Sequence, residues 1–326
     1  MNSKLNVLFL PLGNLFEDWG KDLQTAVSKN HNFIVADCEK PLAPQFENID
    51  VVIDHGGSVG TREMADLAAA GQVQLWQILG TGFDHFDLEY FKSKKLRVSN
   101  CPGTFSAVAL ADCAMMFILM LARRYWDALQ NLKEGVLYRP IGRELEGLKL
   151  GIIGFGASGI ELARRSRGFG MKNLAIDIRK IDQNEVNEFG LEFVGTPSDL
   201  DAVIAQSDVV SLHLHLNAET RHIINRNRLK LMKSTAFLIN VSRGELVDEK
   251  ILETALTEHW IGGAGIDVFS QEPPDLSSPI FSLPHVVTAP HIAGVTDGTA
   301  RKRAQAAADN VNRVAAGLEP LYRIDQ

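Results

Sequence analysis

Short apolar runs recur along the chain, and amphipathic stretches long enough for helices separate them. Leu5–Phe9, Phe33–Ala36, Val51–Ile53 and Val73–Leu79 read as strands, with helical patterns at Phe16–Ser28 and Thr61–Ala70. A longer helical stretch covers Phe105–Arg124. A second series of strands follows at Leu148–Ile153, Leu174–Ile176, Val209–Leu214, Ala236–Asn240, Gly265–Val268 and Val286–Thr288. Strands that alternate with helices predict parallel sheets built from βαβ units, hence an α/β fold. The two series predict two domains. A last helix, Thr296–Ala316, needs a surface to pack on. If it returns to the first sheet, the first domain is discontinuous and the chain crosses the hinge twice.

Composition narrows the function classes. With 326 residues and 45% hydrophobic content, the chain can bury a sizeable core. Its net charge of −7 offers nothing to attract nucleic acid or an anionic membrane. Three cysteines, Cys38, Cys101 and Cys113, show no C-x-x-C spacing, and no Cys/His cluster has zinc-ligand spacing, so no metal site is expected. Sparse, odd cysteines fit a reducing compartment. The N-terminal LNVLFL is too short for a signal segment. The longest apolar stretch, Ala107–Ala122, is broken by Asp112 and is too short to span a bilayer. A cytoplasmic protein is expected.

The run LKLGIIGFGASGIELARR places Gly154, Gly156 and Gly159 in G-x-G-x-x-G spacing, after the apolar strand Leu150–Ile153 and at the opening of a helix. Spacing alone is weak evidence, but this context is that of a dinucleotide site. Gly154 would allow a tight turn, Gly156 would let a pyrophosphate approach the backbone, and Gly159 would let the helix pack on the sheet. Ala157 and Ser158 open the helix, whose N–H groups and dipole suit phosphate. Asp177 lies 18 residues beyond Gly159, at the end of the next strand. A carboxylate there accepts bonds from the adenosine ribose and repels a 2′-phosphate, which favours NAD. Ile178 and Arg179 adjoin it, and Arg179 with Lys180 could instead accept that phosphate.

Three polar residues follow later strands, where open α/β sheets bind ligands. They are Arg243 in LINVSRGELVDE, Glu272 in GIDVFSQEPP and His291 in VVTAPHIAG. Singly, each could be an ordinary surface or loop residue. As a set they suit hydride transfer. Arg243 can bind a carboxylate and polarise a neighbouring carbonyl. His291 can exchange a proton with a hydroxyl, and Glu272 can bond its other ring nitrogen and favour the protonated ring.

In these segments the chain resembles the D-isomer-specific 2-hydroxyacid dehydrogenase family. The match is weaker at LGTGFDHFDL, RVSNCPG and ALAD, and strong from Gly147 to Gly294, through SDVVSLHLHLNAETRHII, NVSRGELVD, AGIDVFSQEPP and TAPHIAG. The resemblance implies a Rossmann-type nucleotide domain, 104–291, inserted in a flavodoxin-like substrate domain, 1–103 plus 292–326, with the active site in the cleft. It implies NAD as cofactor, Arg243, Glu272 and His291 as the catalytic set, and Asp267 on the nicotinamide carboxamide. Val241, Ser242, His213 and His215 would lie along the cofactor. Gly57, Ser58 and Val59 would hold the substrate carboxylate, with Gly82 near the substrate. It further implies a homodimer joined through the nucleotide domains and the arm Arg124–Arg143.

Two departures stand out. His215 occupies a position where the family usually has proline. The first loop, HGGSVG, lacks the arginine that phosphate-handling relatives carry, although Arg62 is near. A non-phosphorylated substrate of glyoxylate or hydroxypyruvate type is therefore expected, and the end at Gln326 leaves no room for an appended regulatory domain. Glu272 argues against formate dehydrogenases, which carry glutamine there. The alternative outside enzymes is an NADH-sensing scaffold of the C-terminal binding protein type.

Overall fold

The valine-, isoleucine- and leucine-rich runs form the strands of two parallel sheets in the computed structural model, which describes residues 4–13, 19–56 and 60–326. The chain divides into two units, Met1–Phe105 with Thr296–Gln326, and Ser106–Val295.

In the first unit, β1 (Asn6–Leu10), α1 (Lys21–Val27), β2 (Asn32–Val35), α2 (Leu42–Gln45), β3 (Val51–Asp54), α3 (Arg62–Ala70), β4 (Leu75–Ile78), α4 (Leu88–Ser93) and β5 (Val98–Ser99) follow one another. The sheet order is β2-β1-β3-β4-β5, the flavodoxin-type arrangement. Side chains alternate between its faces. Val7, Phe9, Val51 and Ile53 join one core; Leu8, Leu10, Val52, Trp76 and Ile78 join the other.

The second unit comprises α5 (Ala107–Ala122), α6 (Tyr125–Lys133), β6 (Lys149–Ile153), α7 (Ala157–Gly168), β7 (Lys172–Ile176), α8 (Gln183–Phe189), β8 (Leu191–Gly195), α9 (Leu200–Gln206), β9 (Val209–Leu212), α10 (Arg226–Leu231), β10 (Phe237–Asn240), α11 (Glu249–Thr257), β11 (Gly263–Ile266) and β12 (Val286–Thr288). The order β12-β11-β10-β9-β6-β7-β8 is the Rossmann 3-2-1-4-5-6 arrangement with a seventh strand added. The apolar stretch Ala107–Ala122 is buried as α5, whose Phe117, Ile118 and Leu121 share one core with Leu150, Ile152 and Ile239. The other sheet face carries Ile153, Val210, Leu212 and Leu238, under side chains of α9, α10 and α11. No helix among the described residues is long and apolar enough to cross a membrane.

The last helix, α12 (Asp297–Ala315), belongs to the first unit. Its Ala304, Ala307, Ala308, Val311 and Val314 recur at helical spacing and pack with Leu23 and Val27 of α1 and with Val7, Phe9 and Ile53. Two strands escaped the sequence pattern. β5 has only two residues, and β8 lies at a sheet edge, where half-exposed Glu192 and Phe193 blur the alternation. Strand bounds also differ from the apolar runs: Val209–Leu214 yields only Val209–Leu212, β7 begins two residues before Leu174, and β11, Gly263–Ile266, lies two residues earlier than the expected Gly265–Val268.

Candidate active site

In the second unit the strand order reverses between β6 and β9, so the loops leaving these two strands diverge and open a crevice at their carboxyl ends. The glycine motif occupies this place. Gly154 takes a φ of 95°, in the left-handed region. Gly159 packs so closely that a Cβ would lie 2.2 Å from the Gly154 carbonyl oxygen, whereas a Cβ on Gly156 would meet nothing within 4 Å. Gly154 and Gly159 are therefore demanded by the fold itself. Gly156, which caps α7, is not, as expected of a position kept small for a ligand. Opposite the loop, His213 leaves β9 and bridges two hydroxyls, Ser211 Oγ to Nε2 at 2.9 Å and Ser158 Oγ to Nδ1 at 3.0 Å. Burial pushes His213 down to about 4, so it is a neutral strut.

Asp177 stands just beyond β7. Its carboxylate accepts the Phe155 N–H at 2.6 Å and the Arg179 N–H at 2.8 Å. Arg179 is engaged elsewhere: its guanidinium meets both Glu185 oxygens, at 2.7 and 2.8 Å, and donates to the Phe155 carbonyl. Ile178 is 90% exposed beside Asp177, and His215 is exposed with its carbonyl bonded to Thr220. This donor set, with a glycine cradle, a helix N-terminus and a carboxylate at the second strand end, fits a dinucleotide.

The reacting groups come from the ends of β10, β11 and β12. Beyond β10, the buried Asn240 amide donates to the Arg243 carbonyl at 2.8 Å and accepts the Ser242 N–H, while Ser242 Oγ donates to the Leu212 carbonyl at 2.7 Å. These bonds tie the Val241–Arg243 turn to β9. Gly244 then presses on the β11 loop, where a Cβ would fall 1.9 Å from the Phe269 carbonyl carbon. Only glycine permits that approach, and it brings Arg243 beside the loop that carries Glu272. There the Phe269 N–H and His291 Nδ1 bond the two Glu272 oxygens, at 3.1 and 2.7 Å. Burial pushes the Glu272 carboxyl up, but these bonds and the charges of His291 and Arg243 outweigh it, and the group sits below the ordinary range.

His291 adopts a φ of 56°, uncommon for a residue with a side chain. Fully buried Asp267 holds it there. Its carboxylate accepts the N–H groups of Ile292 and Ala293, each at 2.8 Å, and its carbonyl accepts that of His291 at 2.8 Å. Despite those bonds, burial raises the Asp267 carboxyl above its ordinary range.

In the first unit, Gly82 lies in the loop after β4, and the Gly57–Ser58–Val59 stretch falls outside the described residues. Asn240, Gly244 and Glu185 were not singled out by sequence reasoning. Only Glu185 left a signal, as the third residue of the capping box that Asp182 starts.

Comparison with known proteins settles the kinship. Residues 115–293 match the model of the D-isomer specific 2-hydroxyacid dehydrogenase, NAD binding domain. This chain belongs to the D-isomer-specific 2-hydroxyacid dehydrogenase family. Among similar proteins, a glyoxylate reductase of Korarchaeum cryptofilum is 37% identical over 79% of this chain and 78% of its own. A hydroxypyruvate reductase of Thermotoga maritima is 38% identical over 74% and 78%. The solved D-lactate dehydrogenase of Aquifex aeolicus, complexed with NAD and lactic acid, superposes with a TM-score of 0.80 at 29% identity, covering 96% of each chain. The chain is an NAD-dependent D-2-hydroxyacid dehydrogenase, and its fold is the family's pair of α/β domains.

Proposed function

We propose that this enzyme reduces small, non-phosphorylated 2-oxo acids of the glyoxylate and hydroxypyruvate type to D-2-hydroxy acids, with Arg243, Glu272 and His291 as its reacting groups. The observation that carries this reading is the 2.7 Å bond that His291 Nδ1 donates to Glu272, with the Arg243 charge acting on the same carboxylate. The bond commits Nδ1 and turns Nε2 to the substrate. Arg243 binds the substrate carboxylate and polarises the adjacent carbonyl. When bound, NADH supplies the hydride to C2. His291 gives its Nε2 proton to the carbonyl oxygen, and Glu272 stabilises the charged ring beforehand.

Gly154, Gly156, Ala157, Ser158 and Gly159 would hold the pyrophosphate, with Asp177 and Ile178 at the adenosine ribose. His213, His215, Val241 and Ser242 would border the cofactor, and Asp267 would take the carboxamide as well as anchoring His291. Residues 1–103 with 292–326 would form the substrate domain, with Gly82 and the Gly57–Ser58 loop near the acid. The substrate class draws on the names of the relatives and on the missing arginine of the first loop. A homodimer, proposed to work in the cytoplasm, would cover the exposed Leu132, Leu137, Tyr138 and Ile141 of the arm 124–143.

A panel of 2-oxo acids, each offered with NADH and with NADPH while absorbance loss is followed, tests the reading. Highest kcat/KM for glyoxylate or hydroxypyruvate with NADH is expected. Preference for a phosphorylated acid, or no turnover, overturns it.

A further inference from the structure

The sheet of the first unit has its own reversal of strand order, between β1 and β3. A ligand crevice is expected at the carboxyl ends of those strands. Around this end stand Trp19, His55 just beyond β3, Thr81 beyond β4 and Cys101 beyond β5. Arg303 of α12 enters the same cluster. Its guanidinium lies 5.2 Å above the Trp19 ring, and Trp19 stacks on His55 at 5.4 Å. Arg303 Nη2 donates a long bond, 3.4 Å, to Thr81 Oγ1.

Arg303 is only 9% exposed, yet its Nε has no partner and it forms no ion pair among the described residues. Among the described residues, its contacts, Trp19 and Thr81, carry no negative charge. Burial and the Arg303 charge push His55 down to about 4, so it is neutral. Burial pushes the Cys101 thiol up to about 12, so it stays protonated. The carboxylate at the end of β3, Asp54, bonds the N–H groups of Gly56 and Gly60 and the Trp76 indole.

A guanidinium cannot shed its proton to relieve burial, and a buried charge without a counter-charge is costly. Folds normally supply a carboxylate, and this one supplies an indole face, a hydroxyl and an unused N–H. The place lies where its own sheet topology expects a ligand. We infer that Arg303 is an anion-binding, specificity-determining residue that receives a carboxylate of the 2-oxo acid at the edge of its guanidinium fork, with the fork's face held on Trp19. The first loop lacks an arginine, and α12 provides the cation in its stead. The inference rests on the reading of the chain as a 2-oxo acid reductase.

The test compares wild type with Arg303→Met and Arg303→Lys. Three readouts are taken: kcat and KM for glyoxylate, hydroxypyruvate, oxaloacetate and 2-oxoglutarate; calorimetric binding of oxamate and oxalate to the NAD-saturated enzyme; and Tm. Arg303→Met is expected to raise KM about tenfold or more with kcat and NADH affinity little changed, and to weaken oxamate and oxalate to match. Lysine, which keeps charge without the fork, should fall between. Tm should hold or rise, because methionine removes an unpaired buried charge. Loss on every acid makes Arg303 share the C1 carboxylate with Arg243; loss confined to oxaloacetate and 2-oxoglutarate places a second carboxylate on Arg303. Unchanged KM and unchanged oxamate binding, with a lowered Tm, would mark Arg303 as purely structural and overturn the inference. If wild type reduces no 2-oxo acid, the reaction reading fails by itself. Arg303 then stands or falls on whether oxamate and oxalate bind wild type and not Arg303→Met.

Discussion

Arg179 is held by Glu185 through paired bonds of 2.7 and 2.8 Å, two residues beyond Asp177, the carboxylate proposed to select the cofactor. The pair answers a question the sequence poses, since an arginine two residues beyond Asp177 could serve a 2′-phosphate. Glu185 neutralises that cation, and the guanidinium also bonds the Phe155 carbonyl.

NADH should therefore outperform NADPH in kcat/KM. Glu185→Gln leaves the helix cap largely intact and releases the charge of Arg179, so NADPH efficiency should rise about tenfold with NADH little changed. Asp177→Ala should narrow the preference further. An NADPH preference in wild type would contradict the assignment, as would an unaltered ratio in both variants.

Arg243→Lys keeps a positive charge and removes the planar fork. A fall in kcat/KM of about 10²-fold is expected, with NADH binding nearly intact by fluorescence titration. Weakened NADH binding with normal turnover would assign Arg243 to the cofactor.

Glu272 is held below the ordinary carboxylate range, so its charge faces His291 throughout the working range. Glu272→Gln keeps the shape and removes that charge. Reduction should suffer most on the alkaline side, and the alkaline limb of the kcat/KM profile should move to lower pH. His291→Ala should cost on the order of 10²–10⁴ in rate. Full activity in His291→Ala would end the mechanism.

Asp208 sits at the amino end of β9 and joins three donors: the Lys149 N–H at 2.9 Å, Arg143 at 2.8 Å and Lys233 at 3.0 Å. Burial pushes its carboxyl up, but those donors win and hold it below the ordinary range. A group lowered on folding stabilises above its unfolded pKa, and that contribution disappears as pH falls through the folded value. Asp208→Asn should cost about 2 kcal/mol near neutrality. Urea unfolding at about pH 7 and again below about pH 4 checks the sign, because the gap between variant and wild type should shrink in acid. A gap that widens in acid would reverse the assignment.

Much of this molecule was legible in one dimension. Apolar runs spaced by helical patterns carry the α/β class, because burial on both faces of a parallel sheet forces near-continuous apolar strands. Gly154, Gly156, Gly159 and Asp177 point to a dinucleotide site by their spacing after a strand and at the opening of a helix, where Gly154 and Gly159 answer backbone demands. Arg243, Glu272 and His291 were identifiable as residues that follow strands. Only the tertiary structure decided what meets what. The Glu272–His291 bond joins loops 19 residues apart, and the bond between Ser158 and His213 spans 55. Gly244 reads as an ordinary turn glycine until the backbone of Phe269 is seen against it. Arg303 reads as one more surface charge on a helix full of them; its burial without an ion pair among the described residues exists only once α12 has packed back on the first sheet. Periodicity reports which face of an element is buried. Which charge finds a partner, and which is left for a ligand, depends on groups far apart in the chain.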